Sequence, residues 1–293
     1  MFTQDKGCIR LFRLAGITVF LHWSWFLVAF LELKLRRDKY DSLAWNVAEY
    51  LTLFGIVLLH EFGHAMACRQ VGGKAERIVL WPMGGVAFVN PPPRPGALLW
   101  SIVAGPLVNV LLVPVSIGLC ALASSVSGPL PHGQFNTFCH TVAVINMVLL
   151  VFNLLPIYPL DGGQILYALL WFILGRARGL MVSCVLGLLG AVGVFLLALR
   201  WQSVWLIAIA VFLGFQAMKG LGYARALAWL DPAMQHANHA LAAIRQGAFA
   251  EAVAECDLAL KLIPQGHKLR DNVDSYRALA LAKLSESAGT PLV

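Results

Sequence analysis

The chain has 293 residues, of which 59% are hydrophobic and only 13% are charged, and its formal net charge is +7. A soluble domain carries about 25% charged residues, so this composition excludes an ordinary soluble protein and predicts a membrane protein. In a membrane protein a modest basic excess indicates topology, and we expect no nucleic-acid partner. The six cysteines are scattered without a CxxC pair, which predicts neither a disulfide framework nor a cysteine metal site.

In chain order, the apolar runs predict six transmembrane segments, because about 20 apolar residues cross the hydrocarbon core. The first run follows an N-terminus that does not resemble a cleavable signal peptide. The fourth run is interrupted by Pro156, Pro159 and the pair Gly162–Gly163. The predicted membrane domain covers residues 1–223, with spans at about 17–33, 45–68, 97–123, 138–174, 180–199 and 204–221.

The apolar stretch IVLWPMGGVAFV, at residues 78–89, is too short to cross a membrane. Pro82 and Gly84–Gly85 stand in its middle and disfavour a helix. We expect two short extended pieces around a turn, which dip into the membrane from the cytoplasmic side as a re-entrant β-hairpin. Backbone at this depth must be covered by protein or line a cavity.

Lysine and arginine in the loops orient the predicted spans, since cytoplasmic loops are enriched in both. Basic residues precede the first span, lie between the second and third and between the fourth and fifth, and follow the sixth. The loop at residues 124–137 has no charged residue. This pattern predicts that both termini are cytoplasmic. One loop opposes it, because Lys34, Arg36, Arg37 and Lys39 would lie outside.

From about Ala224 the composition becomes that of a soluble segment, and we expect residues 224–293 to form a small cytoplasmic helical domain. The stretch QGAFAEAVAECDLALKLIP, at residues 246–264, has small residues and a final proline at the spacing of a tetratricopeptide repeat. Residues 233–246 would supply the first helix of that unit, and residues 271–286 could start a second. A plain helical hairpin is the alternative. The tail could bind a cytoplasmic protein partner.

The candidate chemistry begins with HEFGH, at residues 60–64 of the second predicted span. His60 and His64 are four residues apart and share one helix face, so both imidazoles can reach one metal ion. Glu61 lies near the metal but off the line of the ligands, where it can hold a water. A chance match is the alternative, but ionisable side chains within a span are costly and generally functional. A catalytic zinc usually takes a third protein ligand, which must come from elsewhere.

Asp161 is the other acidic residue deep in a predicted span, within NLLPIYPLDGGQ at residues 153–164. A buried carboxylate needs a cation, and a zinc ion on His60 and His64 is the obvious one. The alternative is that Asp161 caps the helix that starts at Gly162, and both roles can hold together. The second and fourth spans run in the same direction, so the three residues can meet at one level, nearer the cytoplasm.

Asn153 precedes Asp161 in the same interrupted span and offers two N–H donors without a charge. These donors could stabilise the oxyanion of a tetrahedral intermediate. They could equally make an interhelical hydrogen bond, which is common for asparagine in spans. Pro156 and Pro159 force the chain out of helix between Asn153 and Asp161, and such an unwound backbone suits an extended substrate.

Four features together resemble the site-2 protease family of intramembrane zinc metalloproteases. They are HEFGH within a span, a following apolar loop with two glycines, GPLVN at residues 105–109, and NLLPIYPLDGG at residues 153–163. The similarity covers about residues 10–220. It is nearest to the six-span bacterial and archaeal type, including the sporulation-factor-processing branch, which implies a multi-pass protein of a bacterial or archaeal cell membrane.

Residue by residue, the resemblance implies that one Zn²⁺ ion is held by His60, His64 and Asp161, with Glu61 as the catalytic base. It implies contacts with the substrate or transition state at Asn153. It also implies that an extended substrate adds a strand to the edge of the hairpin at about residues 76–90. The residues expected to contact substrate are Pro159, Gly84, Gly85 and, after a first role in packing, Asn109.

The function implied is zinc-dependent intramembrane proteolysis of a transmembrane protein substrate, with water activated by zinc and Glu61. A membrane metal transporter is one alternative, but transport needs neither the glutamate of HExxH nor a proline-rich break in a span. A non-catalytic homologue that binds membrane helices is another, although every expected catalytic position is filled. A third is a membrane metalloprotease of the heat-shock type, whose zinc helix lies outside the bilayer.

Overall fold

The structure is a computed structural model that describes residues 7–35, 39–81, 84–127 and 133–287. Over these residues it is mostly helical, with one small sheet. The prediction of an all-α protein with one hairpin therefore understated the β structure. Sequence predictions that lie outside the described residues concern the charges at Lys6, Arg36 and Arg37, the turn at residues 82–83 and the chain end at residues 288–293.

Nine helices and four strands follow one another along the described residues. The strands are β1 (Cys8–Leu14), β2 (Ile17–His22), β3 (Lys74–Trp81) and β4 (Gly84–Asn90). The helices are α1 (Ser24–Leu35), α2 (Leu43–Gln70), α3 (Pro95–Ser127), α4 (Gln134–Leu154), α5 (Asp161–Leu174), α6 (Arg176–Arg200), α7 (Val204–Gln246), α8 (Phe249–Leu262) and α9 (Lys268–Ser287).

Five of the described helices are long and apolar enough to cross a membrane, namely α2, α3, α4, α6 and α7. Helix α5 is apolar but shorter. Their outward faces carry large exposed hydrophobic side chains such as Leu111, Val148 and Leu189. In a soluble protein an exposed apolar surface of this extent would promote aggregation. The fold is therefore that of a polytopic membrane protein.

The predicted first span is not a continuous helix. Residues 17–22 form β2, and α1 has only 12 residues. The β-branched residues Ile17, Thr18 and Val19 favour a strand, and β2 pairs in parallel with β3, for example Val19 with Ile78. An apolar run does not by itself distinguish a buried strand from a helix, which is why the sequence prediction was wrong here.

The four strands form one sheet in the order β1-β2-β3-β4, with β4 at an edge. Strands β3 and β4 make the antiparallel hairpin, in which Ile78 pairs with Ala87. The sheet packs against the second half of α2, and Arg69 at the end of that helix donates hydrogen bonds to the carbonyls of Ala75 (Nε to O, 2.9 Å) and Ala15. The hairpin is therefore fixed directly to the helix that carries HEFGH.

The predicted fourth span consists of two helices, α4 and α5, separated by the non-helical residues 155–160. Pro156 and Pro159 lie in this segment, which we call the break, and the Tyr158–Pro159 peptide bond is cis. Because the break folds back over the start of α5, a Cβ atom on Gly162 or Gly163 would collide with the backbone of residues 154–158. The glycine pair is thus required by the close approach of two backbone segments.

The tail is helical and grows out of the last membrane helix without interruption. Helix α7 runs for 43 residues, so the predicted boundary between residues 223 and 224 falls inside it. The composition changes at that point, but alanine and leucine on both sides sustain the helix. Helices α8 and α9 pack on the second half of α7 around the buried residues Ala237, Ala240, Cys256, Ala259 and Val273.

Candidate metal centre

His60 and His64 on α2 meet Asp161, the first residue of α5, between the membrane helices. The Nε2 atoms of the two histidines are 3.0 Å apart. The carboxylate oxygens of Asp161 lie 3.0 Å from His60 Nε2 and 3.4 Å from His64 Nε2. All three residues are buried. Among the described residues they form the one cluster of histidine, cysteine and acidic side chains close enough to hold a metal ion.

Hydrogen bonds on the far side of each imidazole fix which nitrogen faces the cluster. His64 Nδ1 donates to the backbone carbonyl of Ser101 at 2.9 Å, and a carbonyl can only accept. His60 Nδ1 donates to Oδ1 of Asn109 at 2.6 Å. In the neutral imidazoles the Nε2 atoms therefore carry lone pairs, and those lone pairs point towards each other and towards Asp161.

The converging atoms fit a zinc ion. Asp161 Oδ2 is buried without a hydrogen-bond partner, which is costly for a carboxylate unless a cation is present. Zinc bonds of about 2.0–2.1 Å at tetrahedral angles place ligand atoms roughly 3.3 Å apart, close to the separations seen between His60, His64 and Asp161. Two histidines and one carboxylate also leave the fourth position open, as a catalytic zinc requires.

The carboxylate of Asp161 is not a helix cap. The residue that precedes α5 is Leu160, and no side chain caps the helix there. Asp161 instead belongs to the first turn and turns its side chain towards the two histidines. Asp161 therefore does not cap α5, and its carboxylate lies instead beside Nε2 of His60 and Nε2 of His64.

Two fully buried amides support His60, and only one of them was anticipated. Asn109 accepts the hydrogen bond of His60 and donates from Nδ2 to Asn146 Oδ1 at 2.8 Å. Asn146 donates in return to the backbone carbonyl of Asn109 at 3.0 Å. The predicted substrate contact at Asn109 therefore has both side-chain polar atoms engaged inside the protein. The signal that could have identified Asn146 is an amide in an otherwise apolar span.

Gly105, on α3, lies directly against the imidazoles of His60 and His64. A Cβ atom there would overlap the imidazole of His64 and lie 2.9 Å from His60 Nε2. The residue must therefore be glycine for the two histidines to keep their positions. Ser101, one turn earlier on the same helix, contributes through its backbone carbonyl, and a backbone group leaves no signal in the sequence.

Glu61 is buried beside the edge strand of the sheet. Its Oε2 accepts a hydrogen bond from the backbone N–H of Ala87, on β4, at 2.8 Å. The hairpin thus orients the carboxylate next to the metal ligands. Gly84 and Gly85, two of the predicted substrate contacts, begin the same strand and pair with Trp81 and Leu80.

The two remaining predicted residues, Asn153 and Pro159, lie at or near the break and do not belong to the group of His60, His64 and Asp161. Asn153 is in the last turn of α4, half-buried, and its side chain has no hydrogen-bond partner in the part of the chain that the structure describes. Pro159 lies within the break, and its carbonyl accepts a hydrogen bond from Gln164 Nε2 at 2.9 Å. Neither residue takes part in the ion pairs of His60, His64 and Asp161.

A HExxH helix whose histidines meet a carboxylate from another helix defines a site of the metallopeptidase class. The profile of peptidase family M50 matches residues 48–127 and 118–199, which is more than half of the chain. The chain therefore belongs to peptidase family M50, and the resemblance to site-2 proteases is confirmed.

Named relatives agree with this assignment. A zinc metalloprotease of Methanocaldococcus jannaschii is 34% identical over 211 residues, which are 71% of this chain and 59% of that protein. Stage IV sporulation protein FB of Bacillus subtilis is 33% identical over 123 residues, covering 41% of this chain and 39% of that protein. The chain thus spans less than two thirds of the length of either relative.

A solved structure has the same fold. The site-2 protease from Methanocaldococcus jannaschii matches with a TM-score of 0.54 and 28% sequence identity, over 73% of this chain and 95% of that one. The structural similarity therefore covers nearly three quarters of this chain.

Proposed function

We propose that the protein is an intramembrane zinc endopeptidase that hydrolyses a peptide bond within a transmembrane protein substrate. The observation that carries the proposal is the convergence of His60 Nε2, His64 Nε2 and the Asp161 carboxylate, within 3.0–3.4 Å of one another. They meet where α2, which is long and apolar enough to cross a membrane, approaches the shorter apolar helix α5. The proposal is supported by the similarity to a zinc metalloprotease and to a site-2 protease of Methanocaldococcus jannaschii.

Each residue of the site has a part in the proposed reaction. His60, His64 and Asp161 would hold a Zn²⁺ ion, which when bound supplies Lewis-acid activation of a water and of the scissile carbonyl. Glu61 takes a proton from the attacking water at its carboxylate and later delivers it to the leaving amine. The Ala87 N–H keeps that carboxylate beside the reacting atoms. Asn153, whose amide has no hydrogen-bond partner among the described residues, donates to the oxyanion.

The substrate lies extended along β4. An edge strand has backbone groups that can pair with another chain, and this edge runs past Glu61 because Ala87 contacts its carboxylate. Gly84 and Gly85 leave the start of that strand without side chains that would obstruct an incoming backbone. Pro159, in the break, is the other proposed substrate contact. Asn109 acts through His60 rather than on the substrate.

The membrane arrangement proposed has six membrane segments with both termini in the cytoplasm of a bacterium or archaeon. Beyond the five long helices, β2 and α1 together would supply the sixth. Six residues of strand at about 3.3 Å and twelve of helix at about 1.5 Å reach roughly 38 Å, which exceeds the hydrocarbon core of about 30 Å. The exposed apolar residues of α1, such as Phe26 and Phe30, suit contact with lipid.

The tail binds a cytoplasmic protein through a tetratricopeptide-like unit formed by the end of α7 with α8 and α9. Support comes from the close packing of α7 on α8 at Ala252 and Ala259, which are fully buried. Small residues at these positions let helices approach closely, as such repeats require.

Co-expression with a tagged single-span membrane protein tests the protease proposal. We expect wild type to convert the tagged protein to a shorter fragment and Glu61→Gln to leave it intact, whereas the exposed Glu76→Gln, the same chemical change on β3, should behave as wild type. Equal processing by wild type and Glu61→Gln would contradict the proposal. A substrate that co-purifies uncut with both would favour a non-catalytic helix-binding protein, and metal flux without cleavage would favour a transporter.

A further inference from the structure

The break rests in a groove formed by three glycines of α6 and α7. A Cβ atom on Gly187 would lie 2.8 Å from the carbonyl oxygen of Tyr158, and one on Gly190 would lie 2.5 Å from Ile157 Cγ1. On Gly220 of α7, a Cβ atom would lie 2.7 Å from Tyr158 Cε1. We call Gly187, Gly190 and Gly220 the glycine groove.

The contact is specific to these glycines and is not a general property of the two helices. Gly193 lies on α6 and Gly222 on α7, and a Cβ atom on either would meet nothing within 4 Å. At Gly187 the atoms in contact are backbone atoms of Tyr158 rather than side chains of α7. The groove therefore receives the break itself and does more than bring α6 and α7 together.

Short hydrogen bonds hold the chain on both sides of Asp161. Leu160 N–H donates to the carbonyl of Ile157 at 2.8 Å, which closes a turn between the groove and the start of α5. The hydroxyl of Ser183 on α6 donates to the carbonyl of Gly163 at 2.6 Å and holds the first turn of α5 from the same side. Because only Pro159 and Leu160 separate Tyr158 from Asp161 and the segment is held by these bonds, we expect a displacement of the Tyr158 backbone to move Asp161.

We propose that the glycine groove is the device that positions Asp161 as a metal ligand, with Tyr158 as the positioning residue seated in it. The inference rests on the metal centre of the proposed function. A methyl group on Gly187 would need roughly half an ångström of movement to reach an ordinary C···O contact of about 3.3 Å. Metal–ligand distances tolerate only about ±0.2 Å, so the same movement would displace the carboxylate from bonding distance.

The groove also fixes the non-helical segment that directly precedes Asp161. Residues 155–160 lack the regular hydrogen bonds of a helix, so their position is set by what they touch. Ile157 is buried against Ala191 and Leu213, and Tyr158 packs on Leu180 and Cys184. These contacts come from α6 and α7, and neither helix brings a metal ligand of its own.

Metal binding by matched glycine variants tests the inference without relying on activity. The full-length protein and the variants Gly187→Ala, Gly220→Ala, Gly193→Ala and Gly222→Ala are purified in detergent, freed of metal and titrated with Co²⁺ against a competing chelator. We expect both groove variants to bind Co²⁺ about 10- to 100-fold more weakly and to give an altered visible spectrum, because the ligand geometry changes. Gly193→Ala and Gly222→Ala should match wild type in both.

A rescue separates positioning of Asp161 from general damage to the fold. A Cβ atom on Gly220 would also lie 2.6 Å from Sγ of Cys184, so the rescue is made in a Cys184→Ala background. The nearest atoms that then remain are Cε1 and Cδ1 of the Tyr158 ring, and the further change Tyr158→Leu removes the colliding Cε1 atom. We expect Tyr158→Leu to restore Co²⁺ affinity to Gly220→Ala but not to Gly187→Ala, whose methyl group meets backbone atoms. The comparison of Gly220→Ala with and without Tyr158→Leu decides the question even if Gly187→Ala does not fold.

The possible failures are distinguishable. If the groove variants bind Co²⁺ as tightly as Gly193→Ala and Gly222→Ala with the wild-type spectrum, the inference is wrong while the metal centre stands. If wild type binds no Co²⁺, or if Asp161→Asn binds it as wild type does, the metal centre of the proposed function is itself wrong and the inference is overturned with it.

Discussion

At the scale of single residues, the arrangement of His60, His64 and Asp161 depends on groups that are not themselves candidate metal ligands. Asn109 and Asn146 are fully buried in membrane helices and satisfy each other's hydrogen bonds while one of them accepts from His60. Burying two amides in an apolar region is costly unless they are paired. Their pairing around His60 indicates that the site, rather than helix association alone, accounts for their presence.

Removal of the Asn109 acceptor should weaken zinc binding. In Asn109→Leu the Nδ1–H of His60 loses its partner, and we expect zinc affinity to fall about 10- to 100-fold, as measured by chelator competition. Ser116→Ala is the matched control, because Ser116 is also buried in α3 but bonds within its own helix at Leu112. Equal affinities of the two variants would contradict a supporting role for Asn109.

Gly105 should tolerate no side chain. In Gly105→Ala the methyl group overlaps the His64 imidazole, so we expect the purified protein to retain less than roughly a tenth of the wild-type zinc, judged from the size of outer-shell effects. Gly118→Ala, on the same helix but with open space around its Cβ position, should retain all of it. The zinc content of both purified variants is measured by metal analysis. A zinc content in Gly105→Ala equal to that of wild type would contradict the close approach of α3 to the two histidines.

At the scale of elements, the hairpin and the HEFGH helix form one unit. Arg69 holds the β1–β2 turn and β3 to the end of α2, and Ala87 on β4 holds the carboxylate of Glu61. The sheet therefore both orders Glu61, the proposed catalytic base, and has its edge strand β4 beside it. A strand fixed in this way can align an incoming extended chain with the base.

Loss of one backbone donor on β4 should separate catalysis from metal binding. Proline at residue 87 cannot donate to Glu61, so we expect Ala87→Pro to keep the zinc content of wild type and to cleave a model substrate at least about tenfold more slowly, since a well-placed base contributes 10²–10⁴-fold. Ala87→Ser keeps the N–H and should cleave normally. Wild-type turnover in Ala87→Pro would show that β4 does not position Glu61.

The sequence predicts those parts of the site that depend on ionisable or otherwise distinctive side chains. It does not predict the parts that depend on how the helices and strands pack together. HEFGH and Asp161 could be identified because ionisable groups are rare at membrane depth, and the prolines marked the break. The strand at residues 17–22 was missed because apolar composition does not separate a strand from a helix. Ser101 acts through its backbone and the glycine groove through the absence of side chains, so neither could be found before the helices were placed.

At the scale of the whole molecule, membrane region and tail are joined by the single helix α7. Gly220 of the groove and Ala240 of the tail core lie on this one element. Between them, Ala224 and Leu227 are buried against Leu180 and Cys184 of the α6–α7 contact. A partner that binds the tail would therefore act on a direct continuation of the helix that helps to seat the break.

Hydrogen exchange tests this continuity. Residues 221–231 lie within α7 and pack on α6, so their amides should exchange slowly, as those of the membrane part of α7 do. The exposed loop at residues 264–267, between α8 and α9, serves as the fast-exchanging reference in the same protein. Exchange of residues 221–231 as fast as that of the loop would mean that the tail is attached through a flexible linker.

The most direct test of the central claim is cleavage of a transmembrane peptide by the purified protein in lipid vesicles, with the cut position determined by mass spectrometry. We expect wild type with zinc to cut within the hydrophobic part of the peptide, and expect no product from Glu61→Gln or from wild type treated with a zinc chelator, with activity returning when zinc is restored. Cleavage by Glu61→Gln, or cleavage that persists without zinc, would contradict the assignment of an intramembrane zinc endopeptidase.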